Sequence, residues 1–203
     1  ASALGQARHS FQQGDFRTAF DLYEELYVLA PQYAVQLLSE AFQLLKRIPN
    51  QDRYTLYQSR YFDFEFLPSD KVLDIGSGHL PFPFATHLGE YAIEDDSYGR
   101  AGLPFKYVEG KPVIQCNVEK MPFSDKEFDF VYCSHVLEHV DFPELACKEL
   151  MRVGKKGYIE TPTRACDLLF NAKISNHKWN VELINGVLVF RKYTPIEVEG
   201  LQS

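Results

Sequence analysis

The stretch Val72-Leu73-Asp74-Ile75-Gly76-Ser77-Gly78 constrains this chain more than any other. Residues suited to a buried strand run directly into two glycines, and Pro81 and Pro83 stand where a following helix would begin. Glycine at such a turn permits positive φ and lets a ligand approach the backbone with no Cβ in the way. In a doubly wound sheet the first strand-to-helix turn lies at the carboxyl edge, beside the crevice where nucleotides bind. A dinucleotide fingerprint asks for G-x-G-x-x-G, and Pro81 holds its last position, which argues against NAD(P). Asp74, at the start of the turn, suits a ligand that carries a positively charged amino group.

From Lys71 onward the pattern alternates between strands and helices. Lys71–Ile75, Tyr91–Glu94, Pro112–Cys116, Phe128–Cys133 and Gly157–Thr161 read as strands, and Phe82–Leu88, Phe142–Val153 and Arg164–Asn171 as helices. The stretch Ser97–Lys111 holds Gly99, Gly102, Pro104 and Gly110, so the helix between the second and third strands should be short or absent. Near the end, Trp179–Ile184 and Val187–Tyr193 flank Asn185-Gly186, the strongest short-range hairpin signal, because both central residues of a type I′ turn need positive φ. Together these features predict an α/β fold whose sheet is parallel except at one antiparallel edge.

The first sixty residues read as helices. Phe16, Ala19, Phe20, Tyr23, Leu26 and Tyr27 recur at helical spacing, and Gln13-Gly14-Asp15 separates this helix from an earlier one around Leu4–Phe11. A third helix is expected from Tyr33 to Arg47. The run Phe11–Pro31 resembles one tetratricopeptide unit, and a single unit cannot bury its own face, so it is expected to stack on the main domain. Residues 1–62 are therefore assigned to a helical extension and 63–203 to the α/β domain. The aromatic and cationic residues from Arg53 to Phe62 suit either a lid or packing between the two parts. Trp179 reads as a core anchor.

A net charge of −7 with no run of cations argues against a nucleic-acid partner. Cys116, Cys133, Cys147 and Cys166 form no C-x-x-C pair and read as buried thiols. No stretch is apolar and long enough to span a membrane and no signal-peptide pattern is visible, so the expectation is a soluble cytoplasmic protein.

Val72–Gly78, Asn117-Val118-Glu119-Lys120-Met121-Pro122-Phe123, Phe128–Val140 and Glu149–Thr161, in this order and spacing, resemble the class I S-adenosylmethionine (SAM)-dependent methyltransferases of the type 11 kind. The resemblance covers about Lys71–Thr163 and implies a Rossmann-like fold, SAM as cofactor and methyl transfer. It places Asp74, Gly76, Ser77 and Gly78 beside the methionine end of SAM, Glu94 or Asp95 on the ribose, and Asn117 and Val118 at the adenine. Ser134 and His135 fall near the transferred methyl, and Glu160, Thr161 and Thr163 on the acceptor side. His135 and His139 are the candidate bases, with a structural hydrogen-bonding role equally open to both. The acceptor expected is a small molecule or glycan, with a protein partner for the N-terminal helices as a further option. A SAM-binding interaction module without catalysis is the alternative. His135-Val136-Leu137-Glu138-His139 also spells H-x-x-E-H, the inverted zinc-protease pattern. That motif belongs within a long helix, whereas this one starts where a strand ends and meets Asp141 and Pro143 at once, so no metal is expected.

Overall fold

The computed structural model describes residues 2–33, 36–37, 40, 52–95, 100, 102–164, 167 and 176–194. The chain divides into two units, Ala1–Asp63 and Phe64–Ser203.

In the first unit, α1 (Ala3–Gln12) starts at Ser2, whose side chain accepts from the Gly5 amide, and α2 (Phe16–Leu29) starts at Asp15, which accepts from Thr18. Ala7, Tyr23 and Leu37 form the buried contact of this unit, with Leu4, Leu22 and Leu26 packed around them. The Glu40 carboxylate ties the helices together by accepting from Arg8 Nε at 2.5 Å and from the Tyr23 hydroxyl at 2.8 Å. Of the third helix read from the sequence, Gln36, Leu37 and Glu40 are helical and the remaining interior lies outside the described residues. A short helix, α3 (Arg53–Leu56), capped by Asp52, follows.

The second unit is built on a parallel sheet of β1 (Val72–Ile75), β2 (His87–Glu90), β3 (Val113–Gln115), β4 (Phe128–Ser134) and β5 (Gly154–Glu160), in the order β3-β2-β1-β4-β5. Every β1 residue is buried, as a strand covered on both faces must be. One face carries Leu73, Ile75, Val131 and Cys133 against α4 (Pro143–Val153), which presents Ala146, Leu150 and Val153 one turn apart. Pro143 opens α4, and Arg152 in its last turn bonds Glu149, Asp125 and the carbonyls of Met121 and Phe123.

The opposite face is covered differently from the sequence-based expectation. Phe82–Leu88 is not a helix: residues 81–86 form turns and His87 and Leu88 already belong to β2. Pro81 and Pro83 drive Leu80 and Phe82 toward extended backbone and remove amide donors, which blocks a helix there. Aromatic rings fill the space instead. Phe82 stacks on Tyr132 at 4.1 Å, Tyr132 on Tyr158 at 5.5 Å, and Phe64 meets Phe82, Phe130 and Tyr158 edge-on.

The strand read at Tyr91–Glu94 is likewise displaced: β2 ends at Glu90. No helix occurs in the described part of 91–112, as the glycines and Pro104 of that stretch predict. β5 begins three residues earlier than its apolar run. The hairpin β6 (Trp179–Ile184) and β7 (Val187–Lys192) turns at Asn185 (φ 51°) and Gly186 (φ 80°). It forms a separate two-stranded sheet and not an edge of the parallel one. Trp179, Leu188 and Phe190 pack it onto the main core, and Trp179 Nε1 donates to the Val140 carbonyl at 2.8 Å. Arg164 and Asp167 are helical, and the rest of the helix expected to Asn171, with Cys166, lies outside the described residues. Cys116 and Cys133 are buried and Cys147 is half-buried. Among the described residues no helix is long and apolar enough to cross a membrane.

Candidate active site

The strand order reverses between β1 and β4, which makes the carboxyl ends of these two strands the topological switch point of the sheet. The turn leaving β1 has φ of 75° at Gly76 and 53° at Gly78. A Cβ on Gly76 would lie 2.3 Å from Val136 Cγ2, so the turn leaving β1 packs directly on the turn leaving β4. The amides of Gly76 and Ser77 both donate to the Gly89 carbonyl. Asp74 is buried and accepts from the Phe82 amide at 2.7 Å, which holds the chain after the turn in place of a helical first turn. Ser77 is buried and its hydroxyl has no hydrogen-bond partner.

Glu90, which the sequence reading passed over, is the acid at the end of β2. Its carboxylate is buried and accepts from Gly78 N at 2.9 Å, Tyr91 N at 2.9 Å and Ala92 N at 3.3 Å. Glu94 and Asp95 lie four and five residues beyond that strand end and are exposed. The run Leu88-Gly89-Glu90 was the available signal, but one apolar residue, a glycine and an acid read less like a strand than Tyr91-Ala92-Ile93. Arg100, also buried, lies with Nη1 4.0 Å from Glu90 and donates to the carbonyls of Ala92, Ile93 and Leu103. Lys106 N donates to the Gly78 carbonyl at 3.0 Å, so the glycine- and proline-rich stretch crosses beside the turn.

After β3, Val118 is buried in the main core and the Asn117 side-chain oxygen accepts from Glu119 N at 2.8 Å. Glu119 in turn accepts from the amides of Asp141 and Phe142, which fixes the start of α4. Across the switch point, Ser134 is buried at the end of β4 and donates to Glu160 Oε1 at 3.3 Å. His135 has φ of 57°, places Nε2 3.2 Å from Glu160 Oε1 and Nδ1 3.5 Å from Glu138 Oε1. The Tyr158 hydroxyl donates to Glu160 Oε2 at 2.6 Å, and burial first, then this bond, pushes its pKa far up. Residues 135–139 are a turn and not a helix, so the two histidines of the H-x-x-E-H run do not share a helical face. His139 gives Nδ1 to the Asn176 carbonyl at 2.8 Å, and burial is the main cause that lowers its pKa.

Residues 73–159 match the family model of a methyltransferase domain. The ubiquinone/menaquinone biosynthesis C-methyltransferase of Xanthomonas oryzae pv. oryzae is 34% identical over 111 residues, covering 48% of this chain and 44% of that protein. Its counterpart from Ectopseudomonas mendocina is 38% identical over 101 residues, covering 44% and 40%. The match spans less than half the length of these relatives. A SAM-dependent methyltransferase structure from Thermotoga maritima, described as a possible histamine N-methyltransferase, is 22% identical over 90% of this chain and 74% of its own, with a TM-score of 0.40. A Pyrococcus horikoshii protein is 22% identical over 88% and 87%, with a TM-score of 0.41. The stretch that matches a methyltransferase domain thus holds the glycine turn and the switch point of the parallel sheet.

Proposed function

We propose that this chain transfers the methyl group of SAM to a small-molecule acceptor, of metabolite or glycan type, and releases S-adenosylhomocysteine. The observation that carries the reading is the junction of the β1 turn with the β2 acid, where the Glu90 carboxylate holds the Gly78 amide beside the switch point of a methyltransferase-type sheet. The residues present fit the cofactor: the Ser77 hydroxyl is a buried polar atom that lacks a partner, and Gly76 and Gly78 keep side chains away from the turn. In this reading Asp74, Gly76, Ser77 and Gly78 hold the methionine end, Asn117 and Val118 the adenine, and Ser134 the region of the methyl.

Glu90 takes the ribose in place of Glu94 or Asp95. A carboxylate has about four lone-pair sites, and three backbone amides already use Glu90. It therefore has room for one ribose hydroxyl rather than both. When bound, SAM supplies a methyl group on an activated sulfonium. The chain's own residues then need only align the acceptor, exclude water and take a proton where the acceptor must lose one. His135, between Glu138 and Glu160, is the residue assigned that proton, whereas His139 has its Nδ1 engaged by Asn176 and receives no such role. The curated relatives methylate carbon in quinone biosynthesis by name, which supports a small-molecule acceptor without naming it.

Calorimetry with SAM, and with NAD as comparison, tests the cofactor site. Saturable SAM binding, weakened about 10–100-fold by Glu90→Gln and unchanged by Glu94→Gln or Asp95→Asn, is expected. Absence of SAM binding to folded protein would overturn the cofactor site. SAM binding with no label transfer to any of a broad acceptor panel would favour a binding module instead.

A further inference from the structure

The H-x-x-E-H run is not a helical zinc motif, yet two of its residues meet a third from the other end of the domain. Glu138, His139 and His177 each offer one ligand atom, and these atoms lie within 4.8 Å of one another. We propose that these three side chains form a binding site for one divalent transition metal of the zinc class, beside His135, whose Nδ1 lies 3.5 Å from Glu138.

Three independent observations point the same way. First, Glu138 is 1% exposed and both its carboxylate oxygens lack a hydrogen bond of ordinary geometry. Its nearest polar neighbours are His135 Nδ1 at 3.5 Å and His139 Nε2 at 3.8 Å. A buried carboxylate whose oxygens lack an ordinary hydrogen bond is costly, and a cation between it and facing imidazoles removes that cost. Second, His139 Nδ1 faces the Asn176 carbonyl at 2.8 Å, an acceptor, so the ring proton sits on Nδ1 and the Nε2 lone pair points toward Glu138. A lone pair facing a carboxylate is a contact that a metal ion resolves. Third, His177 Nδ1 lies 2.9 Å from Asp167 Oδ2, which also accepts from the Tyr193 hydroxyl at 2.7 Å. This carboxylate–imidazole pair fixes the same tautomer and leaves Nε2 of His177 as donor atom, the arrangement that orients histidine ligands in metal sites.

Two imidazoles and one carboxylate suit zinc, whereas calcium and magnesium select oxygen-only sets. Zinc ligands at about 2.0–2.2 Å in a tetrahedron stand about 3.3 Å apart, so the 3.8 Å between His139 Nε2 and Glu138 Oε1 closes with a small side-chain rotation. Three protein ligands leave the fourth position to water. The chain segments concerned are already joined, since Lys178 N and Trp179 N donate to the Glu138 carbonyl at 2.7 and 3.2 Å. The metal would complete a clasp between the loop after β4 and the segment leading into β6. His87 and His9 lie outside this group and have no part in it.

The test uses the full chain, stripped with a chelator and titrated with zinc against a chromophoric competitor, then with cobalt(II) as a spectroscopic probe. One equivalent of zinc and the visible bands of tetrahedral cobalt are expected. His177→Ala and Glu138→Gln should abolish both, and His9→Ala should change neither. Asp167→Asn removes only the outer acceptor and should weaken zinc about 10–100-fold, which gives a readout if a direct-ligand variant fails to fold. Folded wild-type protein that takes up neither ion, or uptake unaffected by His177→Ala and Asp167→Asn, would overturn the proposal. In that case Glu138 belongs to an ion pair with His135. Because metal uptake is read without SAM or acceptor, its outcome is separate from that of the methyl-transfer reading.

Discussion

Replacing Gly76 with alanine loads two separate penalties onto one methyl group. The backbone there has φ of 75°, which an L-residue adopts at a cost of about 1–2 kcal/mol. The new Cβ would also fall 2.3 Å from Val136 Cγ2, an overlap that forces one of the two turns to move. Overpacking of this kind costs about 1–3 kcal/mol, so Gly76→Ala should lose roughly 2–5 kcal/mol in total. The two parts separate in a double-mutant cycle with Val136→Ala. That change alone loses two half-buried methyl groups, worth about 1–2 kcal/mol, and it vacates the overlap. The double variant should then be about 1–3 kcal/mol more stable than the sum of the single effects, with only the φ penalty of Gly76→Ala remaining. Urea unfolding followed by the fluorescence of Trp179, the chain's single tryptophan and part of the same unit, reads the cycle directly. A loss below about 0.5 kcal/mol for Gly76→Ala, or a coupling that small, would show that the two turns do not hold each other, and the close packing at the switch point would be refuted.

Gly186 has nearly the same backbone, φ 80°, but nothing lies within 4 Å of its Cβ position, so Gly186→Ala should cost only about 1–2 kcal/mol and Gly186→Asn less; urea midpoints of the two variants check this. Asp74→Ala strands the buried Phe82 amide and should cost about 1–3 kcal/mol, while Asp74→Asn, which keeps an acceptor oxygen, should lose less in the same assay. Glu149 has its pKa lowered chiefly by the Arg152 hydrogen bond, against the opposing effect of burial, with the Met121 amide helping. Its folded pKa lies below the unfolded one, so its contribution is full above the ordinary value near 4.5 and is lost as pH falls through the folded value. Thermal melts from pH 6 to pH 2.5 should therefore show a shallower acid loss for Glu149→Gln than for wild type, and parallel curves would contradict the assignment.

Much of the parallel sheet was legible because β1 and β4 are largely buried and read as strongly apolar runs, interrupted by Asp74 in β1 and Asp129 in β4. The hairpin was legible because Asn185-Gly186 names its own turn. The second strand was not, and its misplacement carried the proposed ribose acid with it. His87-Leu88-Gly89-Glu90 gains its strand character from neighbours: Gly89 is required because a Cβ there would lie 2.8 Å from Ile75 Cδ1, a long-range contact invisible in local pattern. The aromatic layer over the far face failed to announce itself for a related reason, since rings from 64–66 and 82–84 converge from segments with no regular period. His177 was missed as a partner of the H-x-x-E-H run because thirty-eight positions separate it from His139, roughly the scale over which only topology and not spacing brings residues together.

The lack of a helix after the glycine turn has an electrostatic result. In dinucleotide-binding sheets the helix that follows the first turn aims its amino end, worth about half a positive charge, at a pyrophosphate. Here residues 79–86 are turns, the Phe82 amide is taken by Asp74, and the Gly78 amide is taken by Glu90. The turn thus presents no helix pole to the crevice and has the Asp74 and Glu90 carboxylates behind it, the latter with Arg100 Nη1 4.0 Å away. Such a field disfavours a doubly anionic bridge and favours a ligand that carries its charge as a cation, the property that a sulfonium and an ammonium share.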